Sequence, residues 1–237
     1  MIIINFKDSG KLKAITFSYD DAVIQDLEFI ELINKYNLKS TFNVNSELLG
    51  RHDILIREGK RVAHYKIHPD DVKDIYEGHE VAVHTLTHPL LPRLNDQEVI
   101  RQVEQDRLNL SEIVGYEVVG MAYPGGGVNN DDRVAEIIKN NTGVKYSRTI
   151  SCNDSFDLQD NLYRFNPTVY HLDFDKMMEM GEKFINMTPD KPQIFYVFGH
   201  TFEFDYRSDY LAIFEEFLKL ISNKDDIFYG TNKAVLL

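Results

Sequence analysis

Short runs rich in β-branched and aromatic residues alternate with longer amphipathic stretches along most of the chain. The runs predict strands over 14–19, 40–45, 80–84, 118–123, 144–150, 164–170, 193–198 and 227–229. Between most of them apolar positions recur with a helical period of about 3.6 residues. This periodicity predicts helices over 23–36, 97–114, 132–141, 174–187 and 210–222. The alternation is typical of an α/β protein with a mainly parallel sheet.

The number of predicted strands favours a barrel over an open sheet. The chain has 237 residues, and barrels of about 200–250 residues commonly form one domain. We therefore expect a single domain over residues 1–237. Residues 51–79 are polar and lack a clear period, which predicts an irregular insertion between two strands.

Charge and hydropathy narrow the possible partners and the expected location. Lys and Arg number 26 against 38 Asp and Glu, which gives a net charge of −12. Nucleic acids and anionic membrane surfaces attract clustered Lys and Arg, so we expect neither as a partner. The sequence shows no signal peptide and no apolar run of about 18 residues, which predicts a cytoplasmic protein. The oligomeric state stays open.

Residues suited to catalysis follow the ends of four predicted strands. They are Asp20 with Asp21, His84 with His88, the stretch Tyr123, Pro124 and Gly125, and His200. Because the C-terminal ends of parallel strands share one rim of a barrel, we expect these residues to converge there.

One carboxylate with two histidines is a ligand set that suits zinc and other divalent transition metals. Such a metal lowers the pKa of bound water to about 7, while a second carboxylate and a separate histidine supply a base and an acid. This inventory fits metal-assisted hydrolysis of an amide or ester. His64 and His68 have the same spacing as His84 and His88, but no predicted strand precedes them, and we do not expect them to bind metal.

The motifs resemble those of the polysaccharide deacetylase family, the NodB homology domain of carbohydrate esterase family 4. Residues 18–22 (SYDDA) are similar to its first motif, Thr-Phe-Asp-Asp-Gly, and residues 84–88 (HTLTH) match its second, His-Ser/Thr-x-x-His. The resemblance implies Asp20 as catalytic base and Asp21, His84 and His88 as ligands of a divalent metal, with zinc expected. It also implies a distorted (β/α) barrel of about seven to eight strands.

The remaining motifs of the family are matched in part. Residues 121–126 (MAYPGG) keep the Pro-Gly of the third motif, which implies the Gly125 N–H as oxyanion donor and Tyr123 and Pro124 beside the substrate. The usual Arg of that motif is missing, and Arg148 is a candidate replacement that would brace Asp20. Residues 197–200 (VFGH) resemble the fifth motif, which implies His200 as general acid.

The fourth motif of the family usually contains an Asp and a Trp, and this chain has no Trp. Asp173 is the favoured candidate for the Asp, ahead of Asp175. Stacking on a sugar would then fall to Tyr or Phe, with Tyr123 and Phe202 nearest along the sequence.

The resemblance implies a metal-dependent hydrolase that removes acetyl groups from an N- or O-acetylated carbohydrate. A metal-dependent amidohydrolase acting on a small cyclic amide or ureide is an alternative, favoured by the missing signal peptide and the missing Arg. A second alternative is a carbohydrate-binding barrel that has lost catalysis. It is disfavoured because Asp20, Asp21 and both histidines are retained. The sugar, the type of acetyl bond and the metal stay open.

Overall fold

Strand β1 is buried along its whole length and lies inside the sheet. The computed structural model describes residues 5–57 and 59–237. The strands are β1 (Lys13–Asp20), β2 (Ser40–Val44), β3 (His52–Arg57), β4 (Lys60–Tyr65), β5 (Glu80–Val83), β6 (Gly120–Ala122), β7 (Tyr146–Arg148), β8 (Val169–Tyr170), β9 (Gln193–Gly199) and β10 (Ile227–Tyr229). All eight predicted strands are confirmed.

The main sheet has the order β7-β6-β5-β2-β1-β9-β8, with β10 beside the start of β1, and its pairings are parallel. It curls into an incomplete barrel. The N–H of Phe165 donates to Ser147 O of β7 at 3.0 Å, and the N–H of Thr168 donates to Tyr196 O of β9 at 2.8 Å. The segment that leads into β8 therefore spans the two sides, and the prediction of a distorted barrel is confirmed.

The helices pack against the sheet through their apolar faces. They are α1 (Asp26–Lys35), α2 (Val72–Ile75), α3 (Asp96–Ile100), α4 (Asp106–Val114), α5 (Asp132–Asn141), α6 (Phe174–Asn186), α7 (Tyr210–Ile221) and α8 (Asn232–Leu236). A π-helical turn over Arg101–Gln105 joins α3 to α4. The Asn95 and Asp131 side chains cap α3 and α5 by accepting backbone N–H groups. No helix in the described part of the chain is long and apolar enough to cross a membrane.

Alternate residues of β1 face two different environments. Phe17 and Tyr19 pack against helix side chains such as Phe214, with ring centroids 6.2 and 6.4 Å away. Ser18 and Asp20 point the other way, because successive side chains of a strand face opposite sides of the sheet. They accept hydrogen bonds from Asn43, on β2, and from Arg148, across the barrel. The barrel interior near the C-terminal end of β1 is therefore polar, and the rim lies at this end of the strand.

The segment over residues 51–79 is not irregular, contrary to the prediction. β3 and β4 pair as an antiparallel hairpin, and α2 follows. The hairpin packs Val62 and the partly buried Leu55 against Val23 and Phe202. His64, on the same face of β4 as Val62, extends toward Asp21 at the rim. Because that face contacts charged groups, the sequence lacks the apolar alternation by which a strand is recognised.

Candidate active site

The predicted strand-end residues do converge on one rim. The Nε2 of His84 lies 4.0 Å from Asp20 Oδ2, and the Nε2 of His88 lies 4.0 Å from Asp21 Oδ1. His200 approaches from the end of β9, with its Nε2 3.9 Å from Asp20 Oδ2. Residues separated by up to 180 positions (20 to 200 in the sequence) thus surround one small volume at the C-terminal ends of β1, β5 and β9.

Asp21, His84 and His88 each present one ligand atom, and these atoms all lie within 4.8 Å of one another. The Nδ1 of His84 lies 2.9 Å from the carbonyl of Ala122. Because a carbonyl only accepts, Nδ1 carries the proton and Nε2 has a free lone pair. That Nε2 is buried and has no hydrogen-bond partner, and burial lowers the pKa of His84 to about 4. A neutral imidazole with an unpartnered buried nitrogen fits a metal ligand.

The two loops that carry these ligands have an unusual backbone. Asp21, Ala22, Thr85 and His88 have φ values of 87°, 50°, 69° and 61°, in the left-handed region that residues other than glycine rarely adopt. Ala22 occupies the place where the family has Gly, and its φ shows why Gly is favoured there. Strained backbone of this kind concentrates at functional sites, and here it turns Asp21 and His88 toward His84.

Arg148 braces Asp20, as the sequence suggested. Its Nη2 donates to Asp20 Oδ1 at 2.5 Å and Oδ2 at 2.6 Å, and the Asn43 amide donates to Oδ1 at 2.8 Å. Arg148 is fully buried, and its guanidinium lies 4.6 Å from the Phe198 ring centroid. Burial raises the pKa of Asp20, but the charges of Arg148, His84 and His200, with the Arg148 hydrogen bond, together outweigh it, so the pKa lies below its ordinary value. Asp20 is therefore ionised at neutral pH.

His64 lies at the site, although the sequence offered no strand to place it there. Its Nε2 is 3.3 Å from Asp21 Oδ2, and Lys66, two residues further on, donates to Asp21 Oδ1 at 3.0 Å and to Asp21 O at 2.7 Å. Burial raises the pKa of Asp21, yet Lys66 and the His64 hydrogen bond hold it well below the usual value. His68 is exposed and contacts Asp70. His64 therefore supports a ligand of the candidate metal site, while His68 lies apart from it.

The carboxylate beside His200 is Glu203, and not Asp173. The Nδ1 of His200 lies 3.1 Å from Glu203 Oε2, and His171 Nε2 lies 2.8 Å from the same oxygen. Asp173 is exposed at the start of α6. The structure therefore does not support Asp173 as the carboxylate of the fourth motif. A 3₁₀ turn over Thr201–Tyr206 follows β9. It places the carboxylate of Glu203, three residues after His200, against the His200 imidazole.

Gly199 is required by the close approach of His171. A Cβ at this position would lie 2.1 Å from His171 Cδ2. We expect Gly199→Ala to destabilise the protein by about 1–3 kcal/mol through overpacking, measured by urea unfolding. Gly126→Ala is the matched control, because a Cβ there meets nothing within 4 Å. Equal stability of the two variants would contradict this packing.

The Pro-Gly loop places Gly125 at the rim but buries Tyr123. Gly125 has φ of 78°, and a Cβ there would meet Leu90 Cδ2 at 2.7 Å, so only glycine fits. The Asn129 amide holds the loop by donating to Gly125 O and Tyr123 O. Tyr123 is 0% exposed, its hydroxyl donates to Tyr163 O, and its N–H donates to Arg148 O. The prediction that Tyr123 contacts the substrate is therefore wrong.

Phe202 lies beside two histidines at the rim, whereas Pro124 is buried. The ring of Phe202 is 5.0 Å from the His64 ring and 5.1 Å from the His200 ring, between centroids. Phe202 is largely buried. Pro124 is buried at the base of the Gly125 loop and does not form a separate surface.

Lys66, His171 and Glu203 are among the residues at the site that the sequence motifs do not single out. Glu203 has a local signal, since it follows His200 by three residues, a spacing at which side chains meet on a helical turn. Lys66 and His171 have none, because only the hairpin and the entry to α6 bring them to the rim.

Comparison with known proteins shows the family to which the chain belongs. The family profile described as polysaccharide deacetylase matches residues 7–146. A curated relative, the peptidoglycan-N-acetylmuramic acid deacetylase PdaC of Bacillus subtilis (strain 168), is 28% identical over 124 residues. These residues are 52% of this chain but 23% of the relative, so the chain aligns with about a quarter of that protein.

Solved structures share the fold. A candidate polysaccharide deacetylase from Mycobacterium smegmatis superimposes with a TM-score of 0.64 and 15% identity, covering 95% of this chain and 89% of that one. A family 4 carbohydrate esterase from Streptomyces lividans, in complex with acetate, gives a TM-score of 0.56 and 11% identity, with 93% and 92% covered. At such identities the similarity shows the fold alone.

Proposed function

Because this chain belongs to the polysaccharide deacetylase family, we propose that it is a metal-dependent hydrolase that removes acetyl groups from an acetylated saccharide. The observation that carries the proposal is the convergence of Asp21, His84 and His88 beside Asp20 and His200. Three protein ligands with a carboxylate and an imidazole alongside form the donor set of a hydrolytic metal site.

The residues of the chain have separate roles in this mechanism. A divalent metal, zinc by donor type, held by Asp21, His84 and His88 would supply a Lewis acid that lowers the pKa of bound water to about 7. Asp20, ionised beside Arg148, accepts a proton from the attacking water. The N–H of Gly125 is the oxyanion donor that the family resemblance implies, and His200 donates a proton from Nε2 to the leaving amine or alcohol.

The substrate class follows from the relative that the chain resembles. PdaC is described as acting on peptidoglycan N-acetylmuramic acid, and we infer an N-acetylated saccharide as the substrate here. The missing Arg of the third motif favoured the alternative of a small cyclic amide as substrate. Arg148 contacts Asp20 in its place, so the missing Arg no longer favours that alternative. A cytoplasmic location stays a prediction.

The function is tested on a panel of substrates, by acetate release from the acetylated members and by ring opening of the cyclic amides. Purified protein, loaded in turn with Zn²⁺ and other divalent transition metals, is assayed on N-acetylated oligosaccharides, O-acetylated saccharides and small cyclic amides. Acetate release from the N-acetylated members is expected. Turnover of the cyclic amides alone would replace the proposal with the alternative, and no turnover on any class would favour a binding protein.

The metal site is tested by affinity and not by turnover. We expect His88→Ala to weaken Zn²⁺ binding to the metal-free protein by at least about 100-fold, since even loss of a supporting partner costs about 10–100-fold. His64→Ala removes only the hydrogen bond to Asp21, and we expect it to weaken Zn²⁺ binding by about 10–100-fold. His68→Ala is the control, because His68 is exposed. Equal affinities for all variants, by calorimetry, would reject this ligand set.

A further inference from the structure

Four polar groups contact one carboxylate oxygen of Glu203. Its Oε2 atom faces His171 Nε2 at 2.8 Å, His200 Nδ1 at 3.1 Å and the backbone N–H of His200 at 3.2 Å. The hydroxyl of Tyr170 donates to the same oxygen. The mechanism proposed above uses His200 but neither Glu203 nor His171. A carboxylate oxygen with this many donors is ionised and held in one direction.

His171 is built into the barrel wall and has no exposed surface. It is 0% exposed, and Tyr19, Tyr170 and Phe204 contact its ring, with centroids 5.4, 5.0 and 4.8 Å away. The Tyr19 hydroxyl lies 3.4 Å from His171 Nδ1. Gly199, directly before His200, leaves the space that the His171 ring occupies. The imidazole therefore has one orientation, in which Nε2 faces Glu203.

We propose that Glu203 and His171 are positioning residues for His200: Glu203 holds the Nδ1–H of His200, and His171 holds the Glu203 carboxylate. This inference rests on the proposed function, in which His200 donates a proton from Nε2. With Nδ1 bound to Glu203, only Nε2 can exchange a proton with a ligand at the rim, and Nε2 is the nitrogen that faces Asp20. The arrangement corresponds to a carboxylate that orients a catalytic histidine.

The charges around His200 favour its protonated form. Burial lowers the pKa of His200, but the hydrogen bond and charge of Glu203, with the charges of Asp20 and Asp21, outweigh it and raise the pKa to about 9. A raised pKa keeps the proton on His200 at neutral pH and releases it as the pH rises through 9. The ionisable groups that face His200 are Glu203, Asp20, Asp21, His88 and His171.

The first test measures His200 in the metal-free protein by NMR titration of its imidazole. Glu203→Gln keeps the shape of the side chain but removes the charge, and we expect the pKa of His200 to fall by at least about two units, since burial remains. Asp205→Asn is the matched control, because Asp205 is exposed, lies on the same segment and contacts Gln25. An unchanged pKa in folded Glu203→Gln protein would overturn the inference. The measurement needs no turnover, so it stands apart from the proposed function.

The second test separates positioning from packing at His171. His171→Phe keeps the ring but removes Nε2, and we expect kcat to fall at least about 10-fold with KM unchanged, since Glu203 loses its fixed direction. His171→Gln restores a donor at that place and is expected to recover part of kcat. His79→Phe is the control, because His79 is a buried histidine that contacts Ser40, away from the rim. Equal kcat for His171→Phe and wild type, or no recovery in His171→Gln, would refute the positioning role.

Discussion

Replacing Asp20 with Asn is expected to lower kcat by about 10²–10⁴-fold while metal binding stays nearly unchanged. The amide keeps the shape of the carboxylate but cannot accept the proton of the attacking water. Asp20 is not one of the three grouped ligands, and its carboxylate contacts Arg148 and Asn43. The measurement is acetate release at saturating substrate, together with the metal content of the purified variant.

The matched control for this prediction is Asp173→Asn. The fourth motif of the family pointed to Asp173, yet the structure leaves it exposed and places Glu203 beside His200. We therefore expect the Asp173 variant to retain wild-type turnover. If Asp20→Asn keeps full activity, Asp20 is not the base. If Asp173→Asn loses activity, Asp173 acts in catalysis as the fourth motif of the family implies, in spite of its exposed position.

Replacing Arg148 with Met is expected to cost about 3–5 kcal/mol of stability, because it leaves the Asp20 carboxylate buried without its counter-charge. Arg148 and Asp20 are both almost fully buried. The free energy of unfolding at pH 7, from urea titration, measures the loss. Arg164→Met is the control: Arg164 pairs with a largely exposed Asp132, and surface pairs contribute about 0–1 kcal/mol.

The same variant should change the pH dependence of both stability and activity. In the wild type the pKa of Asp20 lies below its ordinary value, so the stability from its charge is present above the unfolded pKa and is lost as pH falls through the folded one. Without Arg148, burial dominates and the pKa of Asp20 rises. The acid limb of the kcat profile is then expected at higher pH.

A double variant separates the ion pair from simple packing. Removing one partner leaves a buried charge, whereas removing both charges is often close to neutral. We therefore expect Arg148→Met with Asp20→Asn to be more stable than Arg148→Met alone, although it is inactive. Additive losses in this cycle would show that Arg148 stabilises the barrel by filling space.

The short motifs could be interpreted from the sequence because their residues are close along the chain. Asp20 with Asp21, and His84 with His88, each lie in one turn at a strand end, so local spacing already places them together. The same holds for the strands themselves, since apolar runs such as that of β1 report burial directly. The hairpin over 52–65 could not be recognised in this way, because the polar residues that face the rim interrupt its pattern.

The sequence by itself determined an α/β barrel and the three candidate metal ligands with Asp20 and His200, and it identified Arg148 only as a possible partner. Tertiary structure alone decided the groups that support them. β7 and β1 are separated by three strands in the sheet, and only the curl of the barrel brings Arg148 to Asp20. Glu203 replaces Asp173, and His64 joins the rim, because a turn after β9 and a folded hairpin direct these side chains inward. Contacts between distant elements depend on how the sheet closes, and no local pattern in the sequence records that.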